Sequence, residues 1–393
     1  MIQCTARDGN CLHSRCCSSY LDGCYKRPTL QYAQCRPAIA GCIDDESWLC
    51  PGWHGCPYNS TGWPTWPHTW GIERSIQHTQ TYLDSVVTGG YWVEAGYISP
   101  LLNNTVLNAD NVTQVLQGRR LLLIGGSTTR RLVFHYVYLS LPPSVRNQFV
   151  TKEDLFSGAH LNHSTLAVFQ DHGWNVTLHR CNAELGYGCF DCRCSCDGSA
   201  KDRDDWTDFD VDHVETGTSI HFSWKPEIFT RAEQNALASR WCNSSFQQRP
   251  YDLIMYGKGL HDVAFRPQPS VADHGHYVVE KYTALARLLS CLPTSSLLVV
   301  RTPYQIAYQN HQGMLSYNEQ VLRISCTQHA IKYLVESGTF GHRSILLDSF
   351  FVTSAPHAVL PYDGHHYHHR THNSTWALLS KAAHATFNPG TRG

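Results

Sequence analysis

Short unbroken apolar runs dominate this chain after about residue 85, each followed by a segment whose apolar positions recur every three to four residues. Leu-Leu-Leu-Ile at 121–124 leads into a helix through Leu132, Phe134 and Leu139 that stops before Pro142-Pro143. Residues 219–224 alternate apolar and polar as a strand with one buried face does. Residues 252–256 read as a further strand, followed by a helix over 277–289. Leu-Leu-Val-Val at 297–300 is a strand ended by Thr302-Pro303, and a helix over about 317–336 sets Val321, Ile324, Ile331, Leu334 and Val335 on one face. Residues 344–347 form the last strand. Strands alternating with helices predict the α/β class, a parallel sheet with helices on both faces. Ligands of such sheets sit beyond the C-terminal strand ends. Ser127, the segment 259–262 and the segment 363–366 all follow strands and fall at such ends.

Composition adds a second, smaller unit. The 393 residues, 42% hydrophobic and 16% charged, suffice for one large domain plus a module. A net charge of −1 gives no electrostatic footprint for nucleic acid or an anionic membrane. The apolar runs are far too short to span a bilayer. Of 17 cysteines, nine lie in the first 56 residues. That density points to an oxidising compartment and a disulfide-stapled module. Seven N-x-S/T sequons, at Asn59, Asn103, Asn111, Asn162, Asn175, Asn243 and Asn373, agree with a secreted or luminal glycoprotein. The opening Met-Ile-Gln-Cys is no signal peptide, so the chain is expected to start after a removed segment or to be truncated.

Three regions follow: a cysteine-rich module over 1–56, a Trp/Pro-rich linker over 57–85 and an α/β domain over 86–393. Cysteines 4, 11, 16, 17, 24 and 35 are spaced C-x6-C-x4-C-C-x6-C-x10-C. This resembles an inhibitor-cystine-knot framework and the short cysteine modules of secreted algal and protist enzymes. The resemblance implies Cys4–Cys17, Cys11–Cys24 and Cys16–Cys35, whereas spacing alone allows fifteen connectivities. Tyr20, Tyr25 and Tyr32 either pack on the disulfides or form a sugar-stacking face. Trp53, Trp63, Trp66 and Trp70, among prolines that exclude a helix, read as an irregular segment docking on the next domain, or as a sugar-binding surface. Cys181, Cys189, Cys192, Cys194 and Cys196, with the acidic run from Asp202 to Asp212, read as a loop insertion held by disulfides, with a metal site as the alternative. Cys242, Cys291 and Cys326 are left to pair with these or with each other.

Gly125-Gly126 turns the strand sharply and presents Ser127 at a helix start, where an oxyanion can meet backbone N–H groups. The same serine is compatible with an ordinary N-cap. It is no nucleotide loop, and Thr129 stands where a G-x-S-x-G elbow has its second glycine. Asp363 and His366 are spaced so that the carboxylate can hold one imidazole nitrogen while the other deprotonates a serine. His365 is the second candidate base. The histidines at 365, 366, 368, 369 and 372 otherwise read as a solvated surface loop; they offer no convincing metal set.

The block Gly-Gly-Ser-Thr-Thr-Arg at 125–130 resembles the Gly-Asp-Ser-x-x-Arg block of the PC-esterase family within the GDSL/SGNH hydrolases. That family includes trichome-birefringence-like polysaccharide O-acetyltransferases and sialate O-acetyltransferases. Asp363-Gly-His-His366 resembles its Asp-x-x-His block, and Gly257-Lys-Gly-Leu-His-Asp262 its middle Gly-x-His block; Gly90-Tyr-Trp92 suits its N-terminal region. The resemblance covers short blocks within about 90–385. It implies a three-layer, flavodoxin-like parallel sheet and carbohydrate acyl-ester chemistry without a cofactor or metal. It implies Ser127 as nucleophile, His366 as base and Asp363 as its orienter. The N–H groups of Ser127 and Gly259 would be oxyanion donors with His261, and Gly126 and Arg130 would line the site. The expected partner is an O-acetylated glycan, with no nucleic acid, no membrane insertion and a monomeric chain. One departure stands out: Gly126 replaces the family's aspartate. That carboxylate is not the triad acid, so the chemistry survives its loss, but a group that fixes the loop is gone. A non-catalytic glycan-binding protein is therefore the second reading.

Overall fold

Runs that are apolar on both sides become strands covered on both sides. The computed structural model describes residues 22–26, 33–37, 56, 80–81, 83–84, 86–87, 90–93, 96–99, 105–106, 111–149, 163–179, 208–224, 250–257, 263, 268–289, 295–304, 317–341, 343–354 and 369–387. Near the N-terminus β1 (Asp22–Lys26) and β2 (Ala33–Pro37) pair antiparallel, with Cys24 opposite Cys35. The rest of the cysteine module and its expected pairings lie outside the described residues, as does the cluster from Cys181 to Cys196. A small antiparallel sheet follows, β3 (Tyr91–Val93), β4 (Gly96–Ser99) and β5 (Thr105–Val106), then the short helix α1 (Val112–Val115).

The main sheet has seven strands. In chain order they are β6 (Arg120–Gly125), β7 (Trp174–His179), β8 (Asp208–His213), β9 (Ser219–Trp224), β10 (Leu253–Gly257), β11 (Leu297–Arg301) and β12 (Ser344–Leu347). Their spatial order is β12-β11-β10-β6-β9-β8-β7. Five of them, β6 and β9 to β12, are parallel to their neighbours within that group. Taken alone these stand second, first, third, fourth, fifth, the flavodoxin-like order of doubly wound sheets. The helices are α2 (Ser127–Ser140), α3 (Pro143–Phe149), α4 (His163–Asp171), α5 (Val271–Leu289), α6 (Tyr317–Glu336), α7 (Ser349–Ser354) and α8 (His369–Phe387). Alternate residues of one strand serve two cores. Leu121, Leu123, Leu253, Met255 and Val299 pack with α2 and α8; Leu122, Ile124, Ile254, Tyr256 and Val300 pack with α5 and α6. That is why these strands carry no polar alternation.

The sheet is mixed rather than all parallel. Residues 208–213, expected within a loop insertion, form β8, antiparallel to both β7 and β9. The sequence Asp-Phe-Asp-Val-Asp-His alternates, and its Phe209 and Val211 are buried in the α2-side core. The charge of the run obscured its period. The helix expected from 277 starts at Val271 because Ser270 caps it: its hydroxyl accepts the Asp273 N–H at 3.0 Å and donates to the Asp273 carboxylate at 2.7 Å. Cys326 pairs with Cys56, not with Cys242, Cys291 or the 181–196 cluster. The partners are 270 residues apart in sequence, with Cα atoms 5.4 Å apart, and no local pattern signals such a bond. The bond lies against α6, which is buried on all sides from Arg323 to Ile331 and not on one face only.

The N-terminal side also closes a sheet edge. The Gln80 amide accepts the Leu346 N–H at 2.6 Å and donates to the Leu346 carbonyl at 3.2 Å, so one side chain caps β12 as a neighbouring strand would. Leu83, Val86 and Val87, helical residues just beyond it, join the α2-side core. Gln80 and Leu83 fall at the end of the stretch assigned to the linker and are fastened to the sheet. Among the described residues no helix is long and apolar enough to cross a membrane.

Two buried histidines, His274 on α5 and His329 on α6, carry a pH dependence. His274 is fully buried and within 2.9 Å of the Thr327 hydroxyl through Nε2. Burial first, then the Arg323 charge, pushes its pKa from 6.5 to about 3, and burial with Lys332 does the same to His329. Unfolding frees both to protonate near 6.5. Their stabilisation is whole above about pH 6.5 and is lost as pH falls toward 3, on the order of 2 kcal/mol each at pH 5. The thermal midpoint should therefore drop between pH 7 and pH 5, and the His274→Gln/His329→Gln variant should drop less. Equal drops would refute this origin. Non-reduced peptide mapping should recover a fragment joining Cys56 to Cys326, and its absence would refute the tether.

Candidate active site at the strand ends

The central strands end on residues that leave room for others. In register across the C-terminal edge stand Leu347, Arg301, Gly257, Gly125 and Trp224. β6 passes into α2 on one face of the sheet, whereas β10 passes toward α5 on the other. The winding therefore reverses between β6 and β10, where doubly wound sheets open a crevice for ligands. Gly125 and Gly257 face each other at its floor.

Both glycines are demanded by their neighbours. A Cβ on Gly125 would overlap the Thr129 hydroxyl and the Gly257 carbonyl. One on Gly257 would lie 2.5 Å from Nε of Arg301 and 2.9 Å from its Nη2. Gly126 differs: its φ of −96° and ψ of −156° are open to any residue, so the backbone does not require glycine where the PC-esterase block has aspartate. From Gly126 the chain enters α2, and the Gly126 carbonyl accepts the N–H groups of Thr129 and Arg130, each at 3.0 Å. Ser127 is thus the first residue of α2, half-buried, with half-buried Arg130 one turn on. First-turn N–H groups and the positive end of the helix dipole favour negative charge here.

Behind the turn lies a side chain that sequence reasoning passed over. Arg301, 1% exposed, reaches across Gly257 to donate from Nη2 to the hydroxyls of Thr128 and Thr129, both at 3.1 Å. The Thr129 hydroxyl in turn donates to the Gly257 carbonyl at 3.1 Å. Tyr304 covers the guanidinium, its ring centre 4.6 Å from Cζ. The Tyr304 hydroxyl lies 3.2 Å from Thr375 Oγ1 and 3.4 Å from His372 Nδ1, both on α8. Burial pushes the Arg301 pKa down and the Tyr304 pKa up. A sequence signal existed: a glycine and an arginine end two otherwise apolar strands, Leu-Ile-Met-Tyr-Gly and Leu-Leu-Val-Val-Arg.

The expected site residues divide by location. Gly126, Ser127 and Arg130 stand together at the start of α2. Gly259, His261, Asp363 and His366, with His365, lie outside the described residues. His372, expected in a solvated loop, is fully buried in α8, its ring centre 5.9 Å from that of His135 on α2. The reason is helical: His372, Thr375 and Trp376 share the inner face of α8, and the Trp376 indole donates to the Leu132 carbonyl at 2.8 Å. A histidine–carboxylate pair, His221 with Asp210, joins β9 to β8. It stands beside Leu122, three positions back from Gly125, on the α5-side face, so it does not serve Ser127. A cleft of about 570 Å³ lined by Tyr136, His172, Trp174 and His213 opens at the Ser140 end of α2, roughly 20 Å along the helix from Ser127. Among the described residues no group of three or more acidic, histidine or cysteine side chains could hold a metal ion. Comparisons with protein-family models, curated proteins and solved structures found no match.

Gly257→Ala should displace Arg301 and lower stability by about 1–3 kcal/mol. Thermal unfolding measures this, and an unchanged midpoint would show that Arg301 does not depend on the gap.

Proposed function

We propose that the chain is a serine-dependent acyl-ester hydrolase or O-acetyltransferase acting on a glycan, of the PC-esterase type within the SGNH hydrolases. One observation carries the reading: Ser127 opens a helix at the strand ends where the sheet's winding reverses, on a turn whose first residues are fixed from the neighbouring strands. A nucleophile needs that combination of access and fixed geometry. The strand order suits an SGNH sheet. The α8 helix adds support. It begins three residues after His366 and is anchored through His372 and Tyr304 to Arg301, hence to the Ser127 turn.

In this reading Ser127 Oγ attacks the acetyl carbonyl as His366 takes its proton. The carbonyl oxygen becomes an oxyanion facing the N–H groups of Ser127 and Gly259, with His261 beside them. Collapse breaks the ester C–O bond, and the leaving sugar oxygen takes the proton from His366. Water or a second sugar hydroxyl then gives its proton to His366, attacks the acyl-enzyme and frees Ser127. Asp363 orients the imidazole. The disulfide between Cys56 and Cys326 and the sequons support a secreted or luminal setting.

A second reading, a non-catalytic glycan binder, is favoured by Gly126, which removes a carboxylate next to the nucleophile. The two readings separate cleanly. Under the enzyme reading a fluorophosphonate labels Ser127, and Ser127→Ala lowers acetate release from p-nitrophenyl acetate or acetylated xylan by roughly 10³-fold or more. Glycan binding without labelling supports the binder and removes the enzyme, whereas turnover unchanged in Ser127→Ala removes Ser127 as the nucleophile.

A further inference from the structure

Arg301 is held at a cost that its visible contacts do not offset. It is 1% exposed, and arginine stays cationic in proteins. Among the described residues no carboxylate pairs with it. Asp348, at the end of the next strand, accepts instead from the Thr302 hydroxyl at 3.1 Å and from the Gln328 amide at 2.8 Å. Among the described residues Nη2 alone has acceptors in good hydrogen-bond geometry, and Nε and Nη1 have none; the remaining polar group beside the guanidinium is the neutral Tyr304 hydroxyl. A desolvated cation with no counter-ion among the described residues, and with donors left over, is destabilising by general rule, and an aliphatic residue on this strand would pack without that penalty. The chain nevertheless provides for it: Gly257 clears the path, Tyr304 covers it, and two consecutive threonines meet it. Such a group, at the point where the winding reverses, calls for a partner in the chemistry rather than in the fold.

We infer that Arg301 is a positioning residue for the reaction at Ser127: it fixes the first turn of α2 through Thr128 and Thr129 and holds a buried positive charge behind that turn. This rests on the reading of Ser127 as nucleophile. The missing counter-charge is the negative charge that grows on the oxygens around Ser127 as the ester is attacked. It is absent in the resting protein and worth most where water is excluded. Arg301 gains no bond to substrate and moves no proton. Its orphan donors and the lack of a carboxylate partner among the described residues follow, because a resident anion would neutralise the field before the reaction used it. A structural latch alone would need neither a charge nor burial of the whole guanidinium; a neutral amide could hold the two hydroxyls.

The test uses the full disulfide-bonded chain and a fluorophosphonate probe, with labelling at Ser127 separated into probe affinity (KI) and maximal rate (kinact). Arg301→Gln, which keeps donors but removes the charge, should lower kinact roughly 30- to 100-fold with KI within about twofold. Arg301→Lys, which keeps the charge and loses the fork, should recover to within roughly tenfold of the parent. Equal losses in both variants, tracking the fall in thermal midpoint, would make Arg301 a latch and overturn the inference. If Arg301→Gln does not accumulate folded, Arg301→Lys and Thr128→Val carry the test, the latter expected about threefold slower in kinact at an unchanged midpoint. Parent-like rates in both would overturn it equally. A parent chain unlabelled at Ser127 refutes the serine reading and this inference together. A labelled parent with an unimpaired Arg301→Gln refutes this inference alone.

Discussion

Two glycines facing each other across adjacent strands set the terms for everything at the C-terminal edge of this sheet. With Gly125 and Gly257 lacking side chains, β6 and β10 end in a gap on the α2 face, and the Arg301 guanidinium fills it from the next strand. The first turn of α2 is then fixed by a residue more than 170 positions away in the chain, through Thr128 and Thr129. Tyr304 closes the gap from outside and hands the constraint to α8. Three parallel strands and two helices thus converge on one buried cation. A larger residue at either glycine would disturb all of them, because the packing offers no slack for a methyl group.

The two glycines of the Gly-Gly-Ser turn have different standing. Gly125 is required by contact; Gly126 is in an extended conformation that aspartate could adopt. The backbone conformation at 126 thus does not by itself call for glycine where the PC-esterase block has aspartate. The turn is held by another device, the arginine bridge at its back. In the enzyme reading the loop freedom that Gly126 introduces is limited by that bridge, since Thr128 and Thr129 are fastened two and three residues on. In that reading the difference from the PC-esterase block bears on the electrostatics in front of Ser127 more than on its placement.

Much of the sheet could be read from the sequence because parallel strands buried on both faces write an unambiguous signal. Leu-Leu-Leu-Ile, Leu-Leu-Val-Val and Ser-Ile-Leu-Leu are strands where expected, and α6 spans the expected residues. Where the signal was two-valued it was misread. The aspartates of β8 suggested a loop, although Phe209 and Val211 between them keep the two-residue period. Histidines 369 and 372 suggested a surface, although helical spacing turns His372 inward beside Thr375. The start of α2 was legible as a local motif, whereas Arg301 was not: its role depends on which strands are neighbours, a fact that no local pattern contains. The Cys56–Cys326 bond escaped for the same reason.

The Gln80 amide and the Cys56–Cys326 bond tie residues to elements made 266 and 270 positions later in the chain. Chain growth at ordinary rates takes roughly a quarter of a minute to a minute to cover 270 residues. In a secreted setting Cys56 would meet oxidising conditions through that interval with its partner still unmade, in company with the eight other cysteines of the first 56 residues. There Cys56 would either stay unpaired until α6 arrives or pair elsewhere and be reshuffled. The edge of β12 likewise has no cap until residue 80 is drawn back to it. Both ties join segments far apart in the chain, so in a secreted setting maturation of this sheet would be a matter of timing and of disulfide exchange as much as of packing.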